Sequence, residues 1–214
     1  MQYGKVIGLG GNCEVAEHLR RYTGVEQANI MDWWVTPLTA IPKLLDERFA
    51  NIGRPENMRL VAGRKSVMCL HYGIAHHHDF PRCDDLTIDE SIIPSHCVQL
   101  QQKYAMLAER FMNDCRGGQT VLFVRSWRDR LEIPQTQHAI DDIVRYDFDG
   151  TIAAIERNFP ALDFSILFVN YGIHSSADPR AFFHNIEDKG DGGDWSGSPG
   201  GWNDMFDRYL RSLV

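Results

Sequence analysis

The sequence predicts an α/β protein in three layers, a mostly parallel sheet flanked by helices. Three observations predict it. Thr120 to Arg125 (TVLFVR) and Phe164 to Asn170 (FSILFVN) are continuous apolar runs of strand length, the pattern of strands covered on both faces. Segments of helical period lie before and between them. The first apolar run, Lys5 to Leu9, ends in Gly10-Gly11-Asn12 and passes at once into a helical pattern, the strand-turn-helix order of an open parallel sheet. At 214 residues and 43% hydrophobic composition the chain can bury a substantial core, and one α/β domain over residues 1–214 is the expectation.

The elements follow in order. After the first strand, Asn12 can cap a helix with Glu14 and Glu17 near its positive end, Ala16, Leu19 and Tyr22 on one face, and Arg20 and Arg21 before Gly24 at its negative end. Asn29 to Val35 reads as a short strand or extended segment carrying Asp32-Trp33-Trp34. Thr36 or Thr39 then opens a helix with Ile41, Leu44, Leu45 and Phe49 inward and Pro42 in or near its first turn. Leu60 to Tyr72 holds two β-like runs around Gly63-Arg64-Lys65, a hairpin pattern. Leu100, Tyr104, Leu107, Ala108, Phe111 and Cys115 mark a helix from Pro94 that Gly117-Gly118 ends. A further helix spans roughly Thr151 to Asn158 and stops at Pro160. Asp188 to Gly201 is a loop by composition, and a last amphipathic helix bears Trp202, Met205, Phe206, Tyr209, Leu210 and Leu213.

Composition excludes several functions. Lys and Arg number 22 against 29 Asp and Glu, for a formal charge of -7, and no basic stripe offsets it, so nucleic acid is not an expected partner. No stretch approaches the ~18 consecutive apolar residues of a membrane span, and no basic segment and apolar run open the chain. The expectation is an unexported, cytoplasmic protein. Five widely spaced cysteines without a C-x-x-C pair fit a reducing compartment rather than a disulfide framework.

Strand ends in parallel sheets carry chemistry, and three of them here leave polar residues: Gly10 to Cys13, Arg125 to Arg128, and Asn170 to Ser176. Cys13 is the sharpest candidate. A thiol in the first turn of a helix faces unpaired backbone N–H groups and the positive end of the dipole, which favour the thiolate, and the N–H groups of Gly11 to Glu14 can receive an oxyanion. The competing reading is a cysteine packed under a turn. A nucleophilic thiol needs a base, for which His78, beside Asp79, and His174, after a buried strand, rank first. Asp79 or Asp194 can orient it. Gly11, Asn12, Asp32, Trp33, Arg125 and Trp195 are the candidate substrate contacts.

Two cofactor readings fail on spacing. Cys69, His71, His76, His77, His78 and Cys83 form a Cys/His-rich patch without the C-x-x-C or H-E-x-x-H arrangement of a zinc site, so no metal is the expectation, with a zinc protein built on His76 to Cys83 as a third reading. Gly8-x-Gly10-Gly11 has cysteine at the third position of a dinucleotide loop, so no nucleotide cofactor is expected either. A rival to the enzyme reading is a non-catalytic carbohydrate or small-molecule module that uses Trp33, Trp34, Trp195 and Trp202 for stacking.

Leu9-Gly10-x-Asn12-Cys13-x-x-Ala16, Asp32-Trp33, His78-Asp79-Phe80, Lys103-Tyr104, Arg110-Phe111, Leu122 to Arg125, Asp194-Trp195 and Trp202 together resemble a bacterial family described as papain-like cysteine peptidases. One departure is Ile30-Met31, where that pattern has Pro-Phe. The resemblance implies a thiol-dependent hydrolase or acyl transferase with Cys13 as nucleophile and His78 or His174 as base. Peptide, acyl and glycan substrates all stay open, as does the oligomeric state. It also implies an alternative fold, a papain-like α+β arrangement with the cysteine on a long central helix and the histidine on an antiparallel barrel. The alternation of buried strands with helices favours the three-layer parallel sheet.

Overall fold

A computed structural model of the chain describes residues 3–127, 147–192 and 195–210. Its centre is a parallel sheet in the order β1 (Lys5–Gly8), β6 (Val121–Ser126), β7 (Phe164–Val169), β8 (Ala181–His184). The two continuous apolar runs are the two inner strands, which explains why they lack polar alternation: both of their faces are covered. Val121, Phe123, Ile166 and Phe168 share one core with residues of α3 (Ile93–Arg116) and α4 (Phe148–Asn158), among them Phe111, Ile152 and Ile155. Leu122, Val124, Leu167 and Val169 point the other way. They share a second core with Val15 and Leu19 of α1 (Glu14–Thr23) and Trp202, Met205, Phe206 and Leu210 of α5 (Pro199–Leu210). Each of these side chains contributes about 1.5–3 kcal/mol by leaving water. The result is the expected helix, sheet and helix layering.

A second, antiparallel sheet interrupts the connection from β1 to β6, in the order β2 (Trp34–Val35), β5 (Ile74–His76), β4 (Val67–Cys69), β3 (Met58–Leu60). The hairpin expected around Gly63 is β3 and β4, closed at Leu60 opposite Val67, and Gly63 adopts the left-handed conformation at φ 75° that glycine tolerates. The helix α2 (Ala40–Asp46) follows β2 and packs beside α4.

Some boundaries differ from the sequence expectation. α4 begins at Phe148 rather than Thr151 because the Asp147 carboxylate accepts from Gly150 N at 2.9 Å and starts the helix a turn early. α5 begins at Pro199, inside the expected loop, with proline at the first helical position where its missing N–H costs nothing. β5 and β8 were not foreseen as strands. β5 is three residues long, and all four residues of β8 are half-buried, so neither shows a period. Arg128, Asp194 and Leu213, all named above, lie outside the described residues. No helix among the described residues is long and apolar enough to cross a membrane.

Candidate active site

The turn after β1 is built by steric exclusion. Gly10 and Gly11 have φ of 70° and 101°, and a Cβ on Gly11 would lie 2.0 Å from the Ser126 carbonyl oxygen at the end of β6. Only glycine lets the two strand ends approach this closely. Asn12 then locks the turn: its Oδ1 accepts from Glu14 N at 3.0 Å and from Ser126 Oγ at 3.3 Å. Cys13 follows as the residue that starts α1, with only 8% of its surface exposed.

Two expectations for this turn are corrected. The Glu14 N–H is committed to Asn12 and is not open to an oxyanion. The thiol is not acidified by the helix start. Burial pushes its pKa up to about 12, its own backbone N–H opposes this only in part, and the Asp32 and Asp79 carboxylates push it further up. Desolvation of a thiolate outweighs one helix terminus here.

Arg125 staples the region from beneath. It is fully buried; its Nε donates to Tyr171 Oη at 3.2 Å, one terminal nitrogen donates to Leu9 O at 2.9 Å and the other to Thr36 O. These bonds join the ends of β1 and β7 to the end of β2. Expected as a substrate contact, Arg125 has no exposed surface to offer. Thr36 N donates in turn to Gly11 O at 3.3 Å, so the second sheet is anchored directly on the cysteine turn.

That sheet brings a histidine the sequence did not single out as a base. His76 ends β5, opposite Trp34 of β2, and is fully buried. Its Nδ1 lies 2.7 Å from Asp79 Oδ2, while its Nε2 has no hydrogen-bond partner among the described residues. Asp79 also accepts from Tyr104 Oη at 2.5 Å and from Lys103 Nζ at 2.7 Å, and its main-chain oxygen lies 2.6 Å from His96 Nε2. Burial by itself would raise the Asp79 carboxyl, but the bonds and charges of His76 and Lys103 together hold it below the usual carboxylate range. An ionised Asp79 only accepts, so His76 donates to it from Nδ1, and in the neutral imidazole that tautomer leaves a lone pair at Nε2.

The other candidates are placed as follows. His78 is exposed and meets the edge of Trp33, with ring centroids 5.6 Å apart; Asp79, next in sequence, turns away from it to His76. His174 donates from Nδ1 to the Tyr171 carbonyl, and its ring lies 6.2 Å from that of Phe148. Asp32 is buried and accepts from Arg20 at 2.8 Å and from Asn29 N at 2.8 Å; burial nevertheless raises its pKa. The Arg20 guanidinium lies 4.9 Å over the half-buried Trp33 ring. Trp34 and Trp202 are fully buried, so they cannot stack on a sugar, whereas Trp195 is 55% exposed. Trp202 fills a seam instead: it stacks on His18 and donates to Glu14 Oε1 at 3.0 Å.

The Cys/His-rich patch is dispersed. Cys69 is buried, Cys83 is exposed, His71 bonds Glu47, and His77 bonds Ser66 Oγ at 2.8 Å. Among the described residues no three His, Cys, Asp or Glu side chains gather as a metal-binding group.

His76 could have been found by spacing. In the run His76-His77-His78-Asp79 the strand period points alternate residues to one side, and a tight turn after β5 returns the carboxylate to the histidine three residues back. Adjacency in sequence drew attention to His78 instead.

No curated protein and no solved structure matches the chain. A family model does match, over residues 4–173, a span that holds Cys13, His76, Asp79 and Arg125 and covers well over half of the sequence. By that match the chain belongs to the family described as "Putative papain-like cysteine peptidase (DUF1796)".

Proposed function

We propose that the protein is a thiol-dependent hydrolase or acyl transferase in which Cys13 is the nucleophile, His76 the base and Asp79 the group that orients it. One observation carries the reading: a fully buried imidazole, fixed by a carboxylate at Nδ1, holds an Nε2 with no partner among the described residues, and the charge of that carboxylate bears on Cys13. An unpaired buried ring nitrogen is costly in a stable fold and calls for an explanation, which the role of a base supplies.

The raised thiol decides the order of events. Ionising a group with a pKa of about 12 at neutral pH costs about 7 kcal/mol, so a resident thiolate loses to proton transfer during attack. Cys13 Sγ bonds the acyl carbon while its proton passes to His76 Nε2. Asp79 stabilises the imidazolium. The tetrahedral intermediate collapses, the leaving group takes the proton from Nε2, and a thioester remains on Cys13. Water, or a second acceptor in a transferase, attacks the thioester carbon while giving its proton to Nε2; the new tetrahedral intermediate collapses, the acyl group leaves, and the expelled Cys13 sulfur takes that proton back from Nε2. This is the division of labour of a Cys-His-Asp triad, recognised by roles rather than by fold.

Five cysteines, none in a disulfide, suit a reducing cytoplasmic setting. The test uses p-nitrophenyl acetate as acyl donor, with the acyl adduct located by mass spectrometry. Acylation at Cys13 that is lost in Cys13→Ser and falls at least about 100-fold in His76→Ala is the expected result. Equal acylation of wild type and His76→Ala removes the base assignment, and acylation elsewhere removes the nucleophile.

A further inference from the structure

The carboxylate that orients His76 is itself held by a second circuit, and its polarity can be worked out donor by donor. Trp34 Nε1 lies 2.8 Å from Tyr104 Oη, and an indole nitrogen only donates. Tyr104 Oη lies 2.5 Å from Asp79 Oδ2. Burial, and then the Asp79 charge, push the Tyr104 hydroxyl well above its ordinary range, so it keeps its proton and donates it to the carboxylate. The bonds therefore run one way, from Trp34 to Tyr104 to Asp79, where they meet the Nδ1–H of His76.

The circuit also closes on itself. Trp34 is the backbone partner of His76 across β2 and β5, and the three rings pack edge to face or tilted, with centroids 4.8 Å apart for Trp34 and Tyr104, 5.6 Å for Trp34 and His76, and 5.8 Å for His76 and Tyr104. Lys103, the residue before Tyr104 on α3, takes the other Asp79 oxygen, so both carboxylate oxygens are bonded from one turn of one helix. Trp34 belongs to the Asp32-Trp33-Trp34 segment, which gives this buried tryptophan a task distinct from that of Trp33 at the surface.

We propose that Tyr104 is a positioning residue for His76. It sets the rotation of the Asp79 carboxylate and, through Trp34, leaves no competing donor that could capture that carboxylate or the free Nε2. This inference rests on the reading of His76 as the base. In Tyr104→Phe the Trp34 N–H loses its acceptor and Asp79 is left with Lys103, whose side chain is 44% exposed, and with His76 itself. The freed indole N–H then competes for Asp79 or for Nε2, and the imidazole no longer holds one tautomer.

The experiment is an imidazole nitrogen spectrum of the full chain labelled with ¹⁵N-histidine, for wild type and Tyr104→Phe, alongside the p-nitrophenyl acetate assay and a thermal melt. The expected wild-type spectrum shows His76 protonated at Nδ1 alone. The expected variant melts cooperatively, shows His76 averaged between tautomers, and acylates Cys13 at least about tenfold more slowly. A merely structural tyrosine would lower the melt and leave the tautomer where it was. An unchanged His76 spectrum in Tyr104→Phe overturns the inference while His76→Ala still tests the base separately; if His76→Ala acylates normally, both readings fall together. Should Tyr104→Phe not fold, 3-fluorotyrosine at position 104 keeps the shape and strengthens the donor, and a His76 Nδ1–H signal that does not move then overturns the proposal.

Discussion

At the scale of single residues, the chemistry of the site turns on where charge is refused. Cys13 sits where a helix start and a buried turn pull in opposite directions, and burial wins, pushing the thiol to about 12 with Asp32 and Asp79 adding to it. The free protein is accordingly expected to react slowly with iodoacetamide at Cys13 at neutral pH. Its rate should rise with pH and show no plateau below about pH 10, measured by mass spectrometry of the labelled site. A plateau near the ~8.5 of an ordinary thiol would show that burial does not control Cys13. Sequence reading identified the cysteine and its turn, because Gly10-Gly11-Asn12 is a strong local signal. It could not supply the sign of the shift, since desolvation and two carboxylates from other elements exist only after folding.

At the scale of elements, the strand-turn-helix unit works because its glycines differ in kind. Gly11 is excluded from carrying a side chain by both conformation and contact, with the Ser126 oxygen 2.0 Å from the place of a Cβ. Gly24, which ends α1, has φ of 68° and nothing within 4 Å. Gly24→Ala should therefore cost only the left-handed backbone, about 1 kcal/mol, while Gly11→Ala should cost at least about 3 kcal/mol, read from chemical denaturation. Similar losses for the two variants would mean that the β1 and β6 ends are free to separate. The long elements were legible beforehand because α1, α3, β6 and β7 each repeat one signal over many residues. β5 and β8 were not, being too short or too evenly exposed to show a period, and with β5 the strand that seats His76 went unread.

At the scale of the whole molecule, the two sheets meet at the candidate site while surface clusters fix the segments that frame it. Glu47 gathers three donors onto one oxygen, His71 Nε2 at 2.6 Å, Asn51 Nδ2 at 2.7 Å and Tyr72 Oη at 2.9 Å. Burial works to raise this carboxyl, but those bonds outweigh it and hold its pKa at about 2. The pKa is depressed from 4.5, so the contribution is complete above pH 4.5 and is lost as pH falls through about 2. Thermal melts should show Glu47→Gln less stable than wild type at neutral pH, with the gap closing between those two pH values; a gap that stays constant would remove the carboxylate from the account. The layering was readable from the apolar runs, whereas the second sheet was visible only as a hairpin, since its pairing of β2 with β5 spans some forty residues and leaves no local trace.

The buried Arg125 bears on motion. One guanidinium bonds segments that follow three different strands, at Leu9, Thr36 and Tyr171. None of the three can open alone without stranding part of a buried cation, at a cost of about 1–3 kcal/mol for each donor left unpaired. The turn that carries the thiol is thus tied through one guanidinium to the end of β2, the strand that pairs with β5 and His76.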